Sequence, residues 1–463
     1  MLQHNFQVEK RHYWDCAKRR HGLRTANGCK ARLITDVENN RHKIVSAGKT
    51  EHNHEANPID GEEKNYRSTL KRKAVETNDV PAVIISNASA ESPIEVQPRM
   101  TAKAQKLMIY RARESSTGGE KIQEVDGKFV IPDSLKNTLD GRSFFQKQLK
   151  EADLHILMFT TAQNIKLLEC AEFWIADGTF ATVPLAFNQL FSIHASVGQG
   201  DSRRVVPLVY FLLNKKNQEI YTSALECLLD FAAELNANLK PRFVLLDFEK
   251  ASINAFKEVL PETEISGCYF HFTQSLLRQL GALGMKTAYG QNIKLFMAVK
   301  RLQALSFLPA VRIAEAYCTI KESLKEVLGG PFITYFEATY IYGKNRNGRP
   351  LFHPSLWSNH NVVNNNVPKS NNYQEAWHRR WEVLVGPGHL GMTKMVKELI
   401  KEQNVTEGIV LCVLQGTLSS QSTAENLELE ANIRKKVSAV GSLTNIAFID
   451  GMALVLASKS KRS

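Results

Sequence analysis

Phe173-Trp-Ile-Ala-Asp-Gly-Thr-Phe180 is an apolar run that delivers one aspartate, Asp177, into a Gly-Thr pair. The run predicts a buried strand, Phe173–Asp177, ending at a turn. A carboxylate at the end of such a strand must find a partner or a cation, or else take up a proton. Seventy residues later, Arg242-Phe-Val-Leu-Leu-Asp247 repeats the pattern of an apolar run closed by an aspartate. Either aspartate alone is an ordinary strand-ending residue. The two at matching strand ends form a pair that is unstable together without a divalent ion, and hard oxygen ligands are what Mg²⁺ requires.

The flanking sequence supplies the rest of an α/β layer. Strand-like runs lie at Leu154–Thr160, Gln189–Val197, Arg204–Leu213 and Ile265–Phe270. Helical spacing marks Ala162–Ala171, Glu219–Glu234, Ala251–Leu260 and Thr273–Leu280. Three strands, then alternating helices and strands, is the order expected of an RNase H-like core. A helix-rich block, about 285–345, is too long for a loop and is expected to be inserted into that core. After it, Ser370-Asn-Asn-Tyr-Gln-Glu-Ala-Trp-His-Arg-Arg380 offers N-cap residue types ahead of helical spacing over Tyr373–Val385. Glu375 falls in the first turn of that helix, and His378 lies one turn on, on nearly the same face. Glu375 reads either as a first-turn acid complementing the helix dipole or as a third carboxylate aimed at the metal site. Glu249 is its local rival for that role. Cys268-x2-His271 reads either as half a metal site or as a buried thiol with an orienting histidine; no zinc is assigned there.

The N-terminal region differs in kind. Residues 1–75 hold 16 Lys and Arg against 9 Asp and Glu, and much of the chain's +12 net charge sits there. Such a balance favours an anionic partner, nucleic acid above all. Cys16, Cys29, His52 and His54 follow the spacing Cys-x12-Cys-x22-His-x-His in a segment with few apolar residues to bury. Four ligand types in a segment too small for its own core predict a structural Zn²⁺ site. The spacing is not that of a helical finger, and Lys30–Thr35 and Lys43–Ser46 alternate as short strands. Lys18, Arg19, Arg20, Arg24, Lys30 and Arg32 are candidate phosphate contacts. Residues 56–128, with their prolines and the Ser115-Ser-Thr-Gly-Gly119 stretch, read as a linker, partly disordered.

The seven cysteines are scattered and odd in number, which predicts a reducing compartment rather than a disulfide framework. Met1-Leu-Gln-His-Asn-Phe has no basic start followed by an apolar core, so no secretory signal is expected. The longest apolar stretch, Ile446 to Ala457, contains Asp450 and is too short to span a bilayer. Lys71-Arg-Lys73 and Lys459-Ser-Lys-Arg462 are short basic clusters compatible with nuclear import or with plain solvated charge.

Two resemblances sharpen this reading. Tyr13-Trp14, Cys16, Cys29-Lys-Ala-Arg32 and His52-Asn-His54 resemble the FLYWCH zinc module, with its opening strand confined to Met1–Lys10. Trp174–Phe180, Leu246-Asp-Phe-Glu-Lys-Ala251, Gly267-Cys-Tyr-Phe-His-Phe272 and Asn371–Arg380 resemble a Mutator-like element (MULE-type) transposase over about residues 150–405. The second resemblance implies a DDE transposase. Its catalytic acids would be Asp177, Asp247 and Glu375 with Mg²⁺ or Mn²⁺, and Cys268 and His271 would be its Cys-x2-His element. The first implies DNA binding. The expected organisation is a zinc module at 1–55, a linker at 56–128, an RNase H-like transposase domain at 129–405 and a helical tail at 406–463. The expected partner is DNA in the nucleus, with a homo-oligomer assembled on transposon ends and no membrane. The alternative is a catalytically silent, transposase-derived DNA-binding protein. An RNase H-related nuclease fits the Asn-Asn-x-x-Glu segment and the zinc module less well.

Overall fold

The computed structural model describes residues 2–8, 11–16, 29–38, 41–47, 51–52, 54–55, 57–77, 79–116, 121–180, 182–343, 348–386, 390–417 and 423–458. They form two compact units, Met1–Glu120 and Lys121–Ser463.

The first unit opens with a four-stranded antiparallel sheet in sequential order, β1 (Leu2–Val8), β2 (Arg11–Cys16), β3 (Arg32–Glu38) and β4 (Arg41–Ala47). Short polar strands joined in order need no crossover, and the strand expected within Met1–Lys10 is β1. Among the described side chains, the buried apolar cluster at this sheet is Cys16, Cys29 and Ala31. Three small residues contribute little to a sheet's stability, to which a bound ion can add.

Residues 56–128 are not a linker. They hold three helices, α1 (Ile59–Glu76), α2 (Pro81–Ala90) and α3 (Ala102–Ser116), with residues 117–119 of the expected flexible stretch outside the described residues. Tyr66, Leu70 and Ala74, four apart on α1, pack with Ile84 and Ala88 of α2 and Ile109 of α3. Arg113 donates to the carbonyls of Ala74, Thr77 and Asp79 and so closes the end of α1. The charged faces hid this stripe, because one apolar residue per turn is a weak periodic signal. A hairpin of β5 (Gln123–Val125) and β6 (Lys128–Val130) opens the second unit.

The second unit is organised by a seven-stranded sheet. In chain order its elements are β7 (Phe145–Glu151), β8 (Leu154–Phe159), α4 (Ala162–Cys170), β9 (Phe173–Thr179), β10 (Gln189–Val197), β11 (Arg204–Leu213), α5 (Gln218–Glu234), β12 (Phe243–Leu246), α6 (Lys250–Val259), β13 (Glu264–Gly267) and α7 (Tyr269–Ala282). Across the sheet the order is β13-β12-β9-β10-β11-β8-β7. β9, β12 and β13 run parallel, and the remaining pairings are antiparallel. Two details depart from the sequence reading. β9 continues through Gly178 and Thr179, which pair with Phe191 and Leu190, so no turn follows Asp177. The last strand stops at Gly267, and Phe270 lies in α7 rather than in β13.

Helices cover both faces. Ile220, Leu225 and Leu228 of α5 and Ile253 and Phe256 of α6 pack on one. The other receives α13 (Asn372–Val385) and α14 (Met392–Leu414) through Trp377, Trp381, Met395 and Leu399. Between α7 and α13 lie α8 (Lys286–Gln291), α9 (Ile293–Leu305), α10 (Ala310–Phe336), α11 (Pro354–Trp357) and α12 (His360–Asn364). α10 breaks at Gly329, whose φ of 78° only glycine adopts readily, two residues before Pro331. The chain ends its described part with α15 (Ala424–Ser438) and α16 (Asn445–Ser458).

The expected tail is not peripheral. Phe448, Ile449, Met452 and Ala453 of α16 share one core with Val299 and Leu302 of α9 and Tyr317 of α10. Arg301 donates to Asp450 at 2.7 Å, and Arg312 donates to the Val440 carbonyl and to Asn445. Phe448→Ala is therefore expected to destabilise the helical block by about 3–5 kcal/mol, measured as a shift in urea unfolding; a peripheral tail would give almost none.

Candidate functional site

Pairing register builds the acidic site. β12 runs parallel to β9 with Val244 beside Trp174 and Leu245 beside Ile175. Asp247 follows the last residue of β12, and its charge acts on Asp177. Side chains alternate along a strand, so the Asp177 carboxylate leaves the face that also carries Ile175, which with Leu245 packs against Val362 and Val367. The same face receives α13. Gln374 Nε2 donates to the Ser192 carbonyl of β10 at 3.1 Å, which anchors the first turn and brings Glu375 to the site.

Each acid is held. Asp177 Oδ1 accepts the Gly178 N–H at 2.8 Å, and its Oδ2 accepts Asn371 Nδ2 at 3.1 Å. Asp247 Oδ1 accepts the Glu249 N–H at 3.1 Å. Glu249 Oε2 accepts the Tyr221 hydroxyl at 2.9 Å. Two histidines flank the acids: His378 Nδ1 stands 3.9 Å from Asp177 Oδ2, and His271 Nε2 stands 3.9 Å from Glu375 Oε1.

Electrostatics follow from that crowding. Burial, then the Asp247 charge, with smaller pushes from Glu375 and Glu249, drive Asp177 up to about 8, against the opposing Gly178 N–H. Burial also raises Asp247, opposed by the Glu249 N–H, His271 and Lys216. Glu375 is raised by burial and eased by Arg379. Burial and the neighbouring His271 push His378 down to about 4, so its ring is neutral near pH 7. Glu375 Oε1 is buried with no hydrogen-bond partner. Carboxylates that repel one another, one with an unanswered oxygen, are a donor set that a divalent cation suits.

The second ligand set lies in the four-stranded sheet. Cys16 Sγ is 3.1 Å from His54 Nε2, Cys29 Sγ is 3.3 Å from His52 Nδ1, and the two ring nitrogens are 3.2 Å apart. All four ligand atoms lie within 4.8 Å of one another. Tetrahedral Zn²⁺ with bonds of roughly 2.0–2.3 Å sets its ligands at such separations. His54 Nδ1 lies 3.0 Å from the Glu55 carbonyl, an acceptor that fixes the tautomer with Nε2 free to bind metal. Among the described residues no other group of three or more such side chains is so close.

Residues 173–275 match the MULE transposase domain. The chain carries that domain. Residues 2–54 match the FLYWCH zinc finger domain, which together with the Cys/His cluster supports a structural zinc. No curated protein matches the chain. The two domains suggest a transposase-like DNA-binding protein. Among the described residues no helix is long and apolar enough to cross a membrane.

Within the MULE domain and beyond it, the structure brings together Asp177, Asp247, Glu375, His271 and His378, as well as Glu249. Cys268 and His271 do not converge on a common point. The Cys268 thiol is turned to Asn371, and His271 to Glu375. In the FLYWCH module Lys30 and Arg32 are exposed, with Arg32 paired to Asp15 at 2.9 Å, whereas Lys18, Arg19, Arg20 and Arg24 lie outside the described residues. Of the two basic clusters, Lys71–Lys73 lies on α1, with Arg72 and Lys73 paired to Glu76 and Glu91; Lys459–Arg462 lies outside the described residues.

Sequence reasoning missed three residues. Lys216 acts on Asp247 and Glu249 from the turn before α5, Tyr221 looks like ordinary helix core, and Asn371 looks like a cap. Asn371 does occupy the N-cap position, but its side chain makes no capping bond.

Two outcomes follow. Cys16→Ser, or chelation of the metal, is expected to unfold the FLYWCH module, read by loss of dispersion in the spectra of residues 2–54, because the ion would tie Cys16 and Cys29 to His52 and His54. A carboxyl whose folded pKa is raised holds its proton longer in the folded than in the unfolded state, so stability falls as pH climbs from about 4 to about 8. The buried histidines act in the opposite sense below about 6.5, which leaves the interval above it to Asp177. Metal-free protein is expected to lose roughly 2 kcal/mol between pH 6.5 and 8. Added Mg²⁺ should restore it and Asp177→Asn should flatten the slope, both measured by thermal melting.

Proposed function

We propose that the chain is a DDE-type transposase. In this reading an RNase H-like core cuts and joins DNA at transposon ends, and the zinc module recognises those ends. The observation that supports the reading is the parallel pairing of β9 with β12, which Asp247 directly follows, together with the charges of Asp247 and Glu375 acting on Asp177. The strand order β11-β10-β9-β12-β13 supports an RNase H-like arrangement, since three antiparallel strands precede two parallel ones joined through helices.

Asp177, Asp247 and Glu375 would hold divalent cations, Mg²⁺ or Mn²⁺, which when bound activate a water or a 3′-hydroxyl and offset charge at the phosphodiester. The chain's own groups do the positioning. Asn371 and the Gly178 N–H fix the two oxygens of Asp177. Tyr221 fixes Glu249 in a supporting place rather than as a third ligand. Lys216, with its ammonium 2.9 Å above the Phe180 ring, offers positive charge next to the acids where a DNA phosphate would approach. Lys30, Arg32 and the basic residues 18–24 would meet the DNA backbone. Nuclear localisation and assembly of two or more copies on paired ends belong to the same reading.

The test is incubation with Mn²⁺ or Mg²⁺ and the terminal repeats that flank the gene, scoring strand cleavage. Asp177→Ala is expected to abolish cation-dependent cleavage while DNA binding persists; unchanged cleavage overturns the proposal. Binding by the unaltered protein with no cleavage under either cation selects the alternative, a silent transposase-derived DNA-binding protein.

A further inference from the structure

A short chain of bonds joins one thiol to all three acids. Cys268 lies between β13 and α7 and is fully buried. Its N–H donates to the Leu246 carbonyl at 2.8 Å, one residue before Asp247. Its thiol donates to Asn371 Oδ1 at 3.0 Å and accepts the Asn371 N–H at 3.3 Å. Asn371 Nδ2 then donates to Asp177 Oδ2, and the Asn371 carbonyl accepts the Glu375 N–H at 3.0 Å. The thiol therefore grips the residue that touches Asp177 and starts the helix of Glu375, while its own backbone is tied to the strand that carries Asp247.

The direction of the amide matters most. A side-chain amide can present either its oxygen or its nitrogen to a neighbour. An oxygen turned toward Asp177 would repel the carboxylate; an N–H₂ holds it. A donor on the far side of the amide fixes the choice, and the Cys268 S–H is that donor. Burial keeps the thiol protonated, pushing it up to about 11, so it remains a donor and is no ligand. Asn371 gives up the usual N-cap bond to its own helix for this arrangement.

We propose that Cys268 is a positioning residue. It sets the Asn371 amide so that Asp177 Oδ2 is held in the orientation that receives the cation. The proposal rests on reading Asp177 as a cation ligand. It separates the two halves of the Cys-x2-His element, since Cys268 acts through Asn371 whereas His271 faces Glu375.

The experiment measures Mn²⁺ affinity by electron paramagnetic resonance on the full chain without DNA, after the zinc site has been filled. Cys268→Ala and Asn371→Ala are each expected to weaken binding by about tenfold or more, the usual effect of removing a group that orients a ligand. Cys268→Ser, which keeps a donor, should stay within about threefold of the unaltered protein. The double variant should be no weaker than Asn371→Ala alone, because Cys268 acts through Asn371. Asn371→Ser, whose side chain is too short to reach Asp177, serves as a second variant and should lose as much. Unaltered affinity in Cys268→Ala, or losses that add in the double variant, overturns the proposal. If Cys268→Ala does not fold, Asn371→Ser binding Mn²⁺ normally overturns it equally. Asp177→Ala is the control. If it leaves affinity unchanged, the cation-site reading fails as well; if it alone abolishes binding, only the role of Cys268 fails.

Discussion

Like charges packed into a crevice poor in water govern this structure more than any other interaction. Asp177, Asp247, Glu249 and Glu375 all feel burial, and Asp177 feels the other three carboxylates as well. Left alone, such a group opposes folding. The fold answers with a set of small devices rather than with a direct salt bridge. Backbone N–H groups hold Asp177 and Asp247, an amide holds the other oxygen of Asp177, a phenol holds Glu249, and Lys216 stands at the margin. None of these neutralises a charge. The repulsion that remains is the kind that a doubly charged ion relieves better than a single lysine.

The sheet was legible because its strands are nearly continuous apolar runs. Gln189–Val197 and Arg204–Leu213 coincide with the observed strands, since a strand buried on both faces leaves little polar residue to confuse its limits. β7 escaped because Phe145–Glu151 is an edge strand of mostly polar residues. The two aspartates were legible for a related reason, in that a charge closing an apolar run stands out. The end of β9 was misjudged because Gly178-Thr179 has turn composition, yet Gly178 pairs with Phe191 in the strand, and its lack of a Cβ leaves room for the Gln189 side chain. Asn371 and Tyr221 could not be found from spacing, because their roles depend on partners 194 and 28 residues away.

The first unit shows two answers to having too little to bury. The four-stranded sheet gathers four ligand atoms in place of a core. The three helices that follow assemble a small core from one apolar residue per turn and close it with Arg113 on three carbonyls. Composition separated these cases poorly, since both segments read as basic and polar. Ligand count distinguished the first; nothing short of the packed helices distinguished the second.

The pairing of α9 and α10 with α15 and α16 bears on how the chain is made. Arg301 and its partner Asp450 are 149 residues apart in sequence. At about 5–20 residues per second, a ribosome delivers that partner many seconds after α9 has emerged. During that interval Val299, Leu302 and Tyr317 lack the part of their cover that α16 supplies, while the strands of the sheet are already available to one another. The core of the helical block is thus completed only when the end of the chain arrives, and until then its α9 face is partly open.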